Sequence, residues 1–499
     1  MRDNTGLEVQ RTFSGGVTVR TERDRFGREV RKSVRSGGIE RGAYRYEWGI
    51  ANRLLAKENE LTGTVMRYDY DRFDFLIRQE TTDGSETDVI YRVPDFVGNL
   101  FETPEKKDRK YGAGGRLLED PDCFYHYDDE GNLVFREFKE LQDNAVTHDR
   151  KRMEKERGIR CLAMGMGWLY EWASNGMLKK VIRPDGRPVE FRYDALGRRT
   201  AKQYFGKVTR WVWDGNIPLH EWTESAMKMR SNAQKAEGKA SGKNCLTTWI
   251  FEAGTFVPTA KIKGDKQYSI VSNYLGTPIQ MYDGQGNKTW NCTLDIYGKV
   301  TNFAENSRCD CPFRYQGQYE DAETDLYYNR FRYYSSKTGL YISQDPIGLV
   351  GGFCLFGYVK DANNEIDIWG LSKSMFGKAR ARAIQRARKL QNTINPPKMT
   401  SASVSRITGR VYYGDSGTKP SKISAEMKSR MDFDTKQKWS IDNCAEFNAV
   451  NKATLKGEKI SDLDVYTVEV ETLDPRVRCD NCRVTIDGAY VKSDIDGKH

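Results

Sequence analysis

From Tyr46 to Tyr204 apolar and polar positions alternate in short runs broken by turns. "YDYDRFDFLIRQE" (Tyr68 to Glu80), "YHYDDEGNLVFREF" (Tyr125 to Phe138), "YEWASNGMLKKV" (Tyr170 to Val181) and "FRYDALGRRTAKQY" (Phe191 to Tyr204) share one plan. Each opens aromatic-x-aromatic, passes a polar turn that usually carries Gly, and continues with an apolar residue and a basic strand. Alternation with a period of two predicts β-hairpins with one face inward. Tyr46, Tyr68 and Tyr91 begin units 22 and 23 residues apart, and Tyr170 and Phe191 lie 21 apart. Self-similarity at that period means a repeat array, in which each hairpin buries its face only against its neighbours. The pattern holds to about residue 370. Residues 225–244, "SAMKMRSNAQKAEGKASGKN", interrupt it as an expected loop inserted between strands.

After Leu371 the period changes. "KARARAIQRARKLQ" (Lys378 to Gln391) spaces apolar and basic residues like a helix, stopped by "NPPK". "ASVSRITGRVYYG" (Ala402 to Gly414) predicts two strands around a turn. In "IDNCAEFNAVNKATLKG", Asp442 or Asn443 can cap a helix that Gly457 ends. "DVYTVEVET" (Asp464 to Thr472) alternates like a strand, "RCDNCRVTI" opens a short helix, and "AYVKSD" is a last strand. The predicted order is β-β-α-β-α-β, a small α/β sandwich of three layers.

A chain of 499 residues exceeds one ordinary core, so two or more domains are expected. Mean hydropathy is −0.73, and no apolar run approaches the roughly 20 residues of a membrane span. The start, "MRDNTGLEVQRTF", lacks the apolar centre of a secretory signal, so export needs a dedicated machine or a longer chain. Ten cysteines without framework spacing read as reduced thiols of a cytosol. Only His126, His148, His220 and His499 exist, which argues against histidine-based catalysis. Residues 372–499 hold 24 Lys and Arg against 16 Asp and Glu, so +8 of the net +10 sits there. Such a basic domain suits an anionic partner, nucleic acid above all; the plain alternative is a solvated surface.

The charge gives three cysteines a context. Cys444 falls at the N-terminal end of one predicted helix, and Cys479 and Cys482 at that of the next. Helix N-termini stabilise thiolates, and a C-x-x-C turn brings two sulfurs to one ion. Three thiolates leave the fourth tetrahedral position of a zinc ion open, as in a catalytic site. Glu446, two residues past Cys444, is placed to shuttle protons without being a ligand. The bland readings are a structural zinc knuckle, for which His499 is the one nearby histidine, or three unrelated buried thiols. Cys123, Cys161, Cys245 and Cys292 read as small strand residues, and the "CDC" of Cys309 to Cys311 is too tight for a zinc pair.

The hairpin units resemble the YD repeats of Rhs proteins and of Tc-toxin C components, over roughly residues 40–371. The segment "FRYQGQYEDAETDLYYNRFRYYSSKTGLYISQDPIGLVGGFCLFGYVKDANNEIDIWGL" (Phe313 to Leu371) is similar to the Rhs-associated core that closes the shell. The resemblance implies a β-rich shell, here a partial β-cocoon, around a C-terminal toxin. It also implies an aspartyl self-cleavage site: Asp345 in "DPIGL" and Asp367 in "DIWGL", cutting between Leu371 and Ser372. Two close carboxyls cannot both ionise, so one activates water while the other polarises the carbonyl. Three positions depart from the family: Ile368 and Ala362 replace Pro, and Cys354 replaces Asn. Losing Pro loosens the backbone that aims the carboxyls without removing either. Alternatively, both Asp residues are turn formers.

The C-x-E and C-x-x-C spacing is similar to the zinc-dependent cytidine deaminases, and "NCAEFNAVNKAT" after "VYYGDSG" resembles the YwqJ-like deaminases at the ends of polymorphic toxins. That resemblance covers roughly residues 402–491. It implies Zn²⁺ on Cys444, Cys479 and Cys482, with Glu446 as proton shuttle; Arg478 departs from the usual Pro. The expected reaction converts cytosine to uracil, in DNA or RNA, with adenine and free nucleotides left open. Arg380, Arg382, Arg386, Arg388 and Lys389 are expected to contact phosphates, unless their helix merely links shell and toxin. The expected division is 1–312 repeat shell, 313–371 closing core, 372–401 basic linker helix and 402–499 deaminase-like toxin. Family resemblance implies a cognate immunity protein and a type VI or other secretion route. It also implies residence in a bacterial cytoplasm before delivery, and action in the target-cell cytoplasm. The shell is shorter than a complete family cocoon, so a C-terminal fragment of a longer protein is expected. The rivals are a YD-repeat surface or interaction protein with a structural zinc knuckle, and a toxin of other chemistry such as a nuclease.

Overall fold

The computed structural model describes every residue except 3–6, 140–166, 226–245, 304–309, 349–353, 372–374, 406–407, 409, 432–439, 475 and 492–499. The expected inserted loop, Ser372, His148, His499, Cys161, Cys245 and Cys309 therefore lie wholly or almost wholly outside the described residues. Two compact units divide at Leu371.

The first unit is built from antiparallel hairpins in chain order. An eight-stranded meander runs from Gln10–Thr12 to Glu86–Tyr91, and a sixteen-stranded one from Lys110–Tyr111 to Val300–Phe303. A four-stranded sheet from Tyr319–Asp321 to Leu340–Tyr341 follows. The aromatic-x-aromatic motif explains how hairpins stack, because residues two apart share a strand face. The first aromatic of each motif is buried: Tyr46, Tyr68, Tyr170, Phe191 and Trp211 are all under 9% exposed. The second reaches the preceding hairpin and donates to the carbonyl that opens its basic strand. Trp48 donates to Glu29 (2.7 Å), Tyr70 to Leu54 (3.0 Å), Trp172 to Leu133 (2.8 Å), Tyr193 to Leu178 (2.8 Å) and Trp213 to Arg199 (2.7 Å). Each of these five units is latched to its predecessor by one polar aromatic tip, which satisfies both partners.

Within the second unit, α1 (Met375–Gln391), β1 (Met399–Ser405), β2 (Val411–Asp415), α2 (Ala425–Arg430), α3 (Ala445–Thr454), β3 (Leu463–Glu469), α4 (Asp480–Thr485) and β4 (Tyr490–Val491) follow in order. The sheet order is β2-β1-β3-β4, with β3 and β4 parallel and the other pairs antiparallel. One sheet face carries Ala402, Val404, Tyr466 and Val468 against Ala379, Ala383 and Ala387 of α1. The opposite face carries Leu463 and Val465 against Phe447 and Val450 of α3, with Met427 and Ile486 from the shorter helices.

This corrects the expectation for residues 372–401. Helix α1 is no linker but a layer of the sandwich. Alanines four apart form a narrow stripe that lets the helix lie close to the sheet, while Arg388 and Lys389 stay exposed. The short helix α2, capped by the Ser424 side chain on the Met427 amide, was not foreseen. Close approach recurs on the other face. A Cβ on Gly414 of β2 would lie 2.1 Å from the Ala445 carbonyl oxygen and 2.3 Å from the Ala449 nitrogen. Only glycine lets β2 press against the backbone of α3 there.

Candidate active site

Cys444 is the N-cap residue of α3 and Cys479 that of α4, so both sulfurs sit where unpaired helix amides gather. Cys482, one turn into α4, is fully buried. The three Sγ atoms lie within 4.8 Å of one another, Cys444 and Cys479 being 3.4 Å apart. Ligands about 2.3 Å from a zinc ion would stand about 3.8 Å from each other, so the trio fits that ion. Among the described residues it is the one group of three or more side chains able to hold a metal. The Cys479 thiol is drawn down to about 3 because the Cys444 and Cys482 thiols point at its sulfur. That contact pushes Cys444 up to about 12 and Cys482 well above its ordinary value. One thiolate is thus already favoured, which suits a cluster that binds a cation. Glu446, only 6% exposed, brings Oε2 to 3.9 Å from the Cys482 sulfur. The sequence-predicted trio and its carboxylate are therefore brought together.

Sequence reasoning missed Asn448, 3% exposed and one turn beyond Cys444. Its Nδ2 faces the carbonyls of Thr418 (2.7 Å), Asp442 (3.1 Å), Cys444 (3.1 Å) and Asp415 (3.4 Å). Asn is not unusual inside a helix sequence, and only the fold shows what it faces.

The basic residues of α1 divide. Arg386 is turned to Asp415, its Nε 2.8 Å from Oδ1, and lies over the Tyr413 ring at 5.0 Å. Arg382 donates to Gln385 at 2.9 Å, and Arg388 and Lys389 are exposed in the last turn. Arg380 lies in the helix, its side chain outside the described atoms.

The first unit holds the second constellation. Asp345 and Asp367 are buried around Arg332, whose Nη2 lies 3.1 Å from Asp345 Oδ2 and 3.5 Å from Asp367 Oδ2. Arg332 also donates through Nε to the Gly370 carbonyl and stacks 3.7 Å above the Tyr341 ring. The Tyr341 hydroxyl donates to Asp367 Oδ2 at 2.8 Å, and the Leu371 amide donates to Asp367 Oδ1 at 3.2 Å. Burial pushes Asp345 up to about 6 against the pull of Arg332, with the Asp367 charge adding to the rise. Arg332 and Tyr341, both inside the "NRFRYYSSKTGLY" run, were not singled out, because an arginine and a tyrosine look ordinary in a basic, aromatic strand. The departures are accommodated: Cys354 is buried with its sulfur 3.8 Å from Asn99 Oδ1, and the Ile368 carbonyl packs onto Gly317.

Latched hairpins in long meanders, closed by a segment with a buried Asp–Arg–Asp group and followed by a separate α/β unit, define a strand-rich YD-repeat shell. The chain belongs to the Teneurin YD-shell family, which it matches over residues 8–349. It is 29% identical over 396 residues to the double-stranded DNA deaminase toxin A of Burkholderia cenocepacia (strain H111), covering 75% of this chain and 26% of that protein. It is 27% identical over 398 residues to the protein named "Probable deoxyribonuclease RhsB" of Dickeya dadantii (strain 3937), covering 76% of this chain and 25% of that one. Among solved structures, the Photorhabdus luminescens Tc holotoxin pore is similar with 19% identity and a TM-score of 0.35, over 75% of this chain and 21% of that one. The chain spans about a quarter of the length of these curated relatives.

Proposed function

We propose that the chain is an Rhs-type polymorphic toxin whose C-terminal unit is a zinc-dependent deaminase acting on a nucleobase, cytosine in nucleic acid being the preferred substrate. The observation that carries the reading is the gathering of three thiols, from two helix N-termini, beside a buried carboxylate. Cys444, Cys479 and Cys482 would hold the ion. Bound zinc supplies a Lewis acid that makes a water acidic near neutral pH. Glu446 Oε2 takes a proton from the attacking water, then returns protons to the ring nitrogen and the departing amine. The balance is cytosine and water giving uracil and ammonia. Burial of Glu446 keeps bulk water from competing for those protons. The exposed Arg388 and Lys389, with the net positive charge of the unit, suit a polyanion. A relative named for DNA deamination supports the same chemistry.

In the closing segment, Asp367 and Asp345 form the proposed self-cleavage pair that cuts Leu371 from Ser372 and frees the toxin. The Leu371 amide on Asp367, and Arg332 on the Gly370 carbonyl, hold the chain beside both carboxyls through a bend at Gly370, whose φ is +64°. The full setting is a bacterial effector kept harmless by an immunity protein, carried out by a secretion system and active in the target-cell cytoplasm.

Elemental analysis of the purified full chain, and assay of uracil in both DNA and RNA, test the deaminase. Zinc present and uracil formed are the expected results. Glu446→Gln should keep the zinc and lose about 10²–10⁴-fold in rate. A metal-free folded protein, or an active Glu446→Gln variant, would refute it.

A further inference from the structure

We infer that Asn448 is the positioning residue of the metal centre, fixing Cys444 and the Asp415–Thr418 segment to one another; this rests on the deaminase reading of the cysteine trio. A side-chain amide offers two N–H donors and no more. Here they are shared among four carbonyls that belong to two separate pieces of chain: the end of β2 and its following turn (Asp415, Thr418), and the turn that runs into the helix and its N-cap (Asp442, Cys444). A second bond ties the same pieces, from the Gly417 amide to the Asn443 carbonyl at 3.2 Å. The glycine contact at Gly414 brings β2 close enough for both. Cys444 differs from Cys479 and Cys482 in coming from the other helix, so its sulfur meets theirs only if the start of α3 is held in place. The Asp442 and Cys444 carbonyls sit on the Asn448 side chain; the Cys444 carbonyl also accepts from the Asn448 backbone amide at 3.1 Å, so removing the side-chain amide costs chiefly the bonds to Asp442 and Thr418. Groups that orient metal ligands in this way commonly change metal affinity by about 10–100-fold.

Asn451 supplies a matched control. It lies one turn further along α3, is fully buried, donates to the Lys422 carbonyl at 2.8 Å and accepts from the Ser424 amide at 2.9 Å. It ties α3 to the α2 segment rather than to Cys444. The experiment compares Asn448→Ala, Asn448→Asp and Asn451→Ala in the full chain carrying Glu446→Gln, so that the readout is zinc held against a competing chelator and not turnover. Expected is zinc affinity reduced about tenfold or more in both Asn448 variants, with Asn451→Ala close to the parent although it loses comparable thermal stability. An Asn448→Ala protein that holds zinc as tightly as the parent overturns the inference, as does an Asn451→Ala protein that loses it equally. A parent that binds no zinc overturns the deaminase reading, and this inference with it.

Discussion

The shell and the C-terminal unit treat buried acidic groups in opposite ways. In the shell several are answered by a cation from elsewhere in the unit. Asp321, fully buried, takes Arg199 and Lys202, the latter at 2.9 Å; Glu320 takes Arg314, whose Nε lies 2.8 Å away; Asp345 and Asp367 share Arg332. Removing one member of such a pair strands a charge, so these pairs fix geometry rather than add much net stability. In the second unit three thiols and a carboxylate are brought within a few ångströms of one another, and the thiols interact mutually. The ion pairs of the first unit are neutralised within it during folding. The cysteine cluster of the second could hold a cation that folding alone does not supply.

The largest expected effect separates the two centres. Asp345→Asn and Asp367→Asn should each leave a full-length chain on a denaturing gel, with cleavage slowed by at least about 10²-fold, while zinc content stays at the wild-type level. Cys479→Ser should do the reverse, losing zinc and leaving cleavage at Leu371 intact. A Cys479→Ser chain that fails to cut, or an Asp367→Asn chain that loses zinc, would mean the two constellations are not independent chemistries.

A smaller effect tests the packing that supports the second centre. Gly414→Ala places a methyl carbon where the Ala445 carbonyl and Ala449 amide already are. Backbone cannot step aside as a side chain can, so a loss of about 3 kcal/mol, the upper end for overpacking, is expected. Denaturant unfolding of the full chain should show the C-terminal transition at lower concentration and the shell transition unmoved. An unaltered C-terminal transition would show that β2 and α3 are not held as closely as the structure has them.

How far each region could be read from sequence follows from the same contrast. The shell announced itself because its contacts repeat: Tyr70, Trp172, Tyr193 and Trp213 do one job, each two residues after a buried aromatic, and repetition is visible without coordinates. That Cys444, Glu446, Cys479 and Cys482 would gather was legible because a metal site would restrict residue type and spacing. Residues that act once, through the fold, were not. Arg332 stands 13 residues before Asp345 and looks like one more basic strand residue. Asn448 acts on carbonyls up to 33 residues away. Helix α1 was read as a linker because its arginines drew the eye from the alanine stripe between them, and the Arg386 charge, expected on phosphate, faces Asp415 instead. Contacts made by backbone atoms leave no residue-type signature.

The finest test concerns pH, and it bears on the shell centre alone. Asp345 is raised to about 6, chiefly by burial, with Arg332 and the Ile347 amide opposing and the Asp367 charge assisting. Asp367 accepts from the Tyr341 hydroxyl and the Leu371 amide, contacts that suit its ionised form. In the proposed cleavage Asp345 is therefore the carboxyl that keeps a proton, with Arg332 turning its charge to Asp367 when Asp345 is neutral. The sign follows: below about pH 6 Asp345 is protonated and the rate is level, and above it the rate falls by about tenfold per unit as that proton is lost. Freshly refolded chain, sampled by gel from pH 5 to 8, measures this. Arg332→Gln removes the cation that holds the Asp345 value down, so the break should move to higher pH even as the absolute rate drops. A rate that climbs through this range would exchange the roles of the two carboxyls, making Asp345 the group that must be ionised.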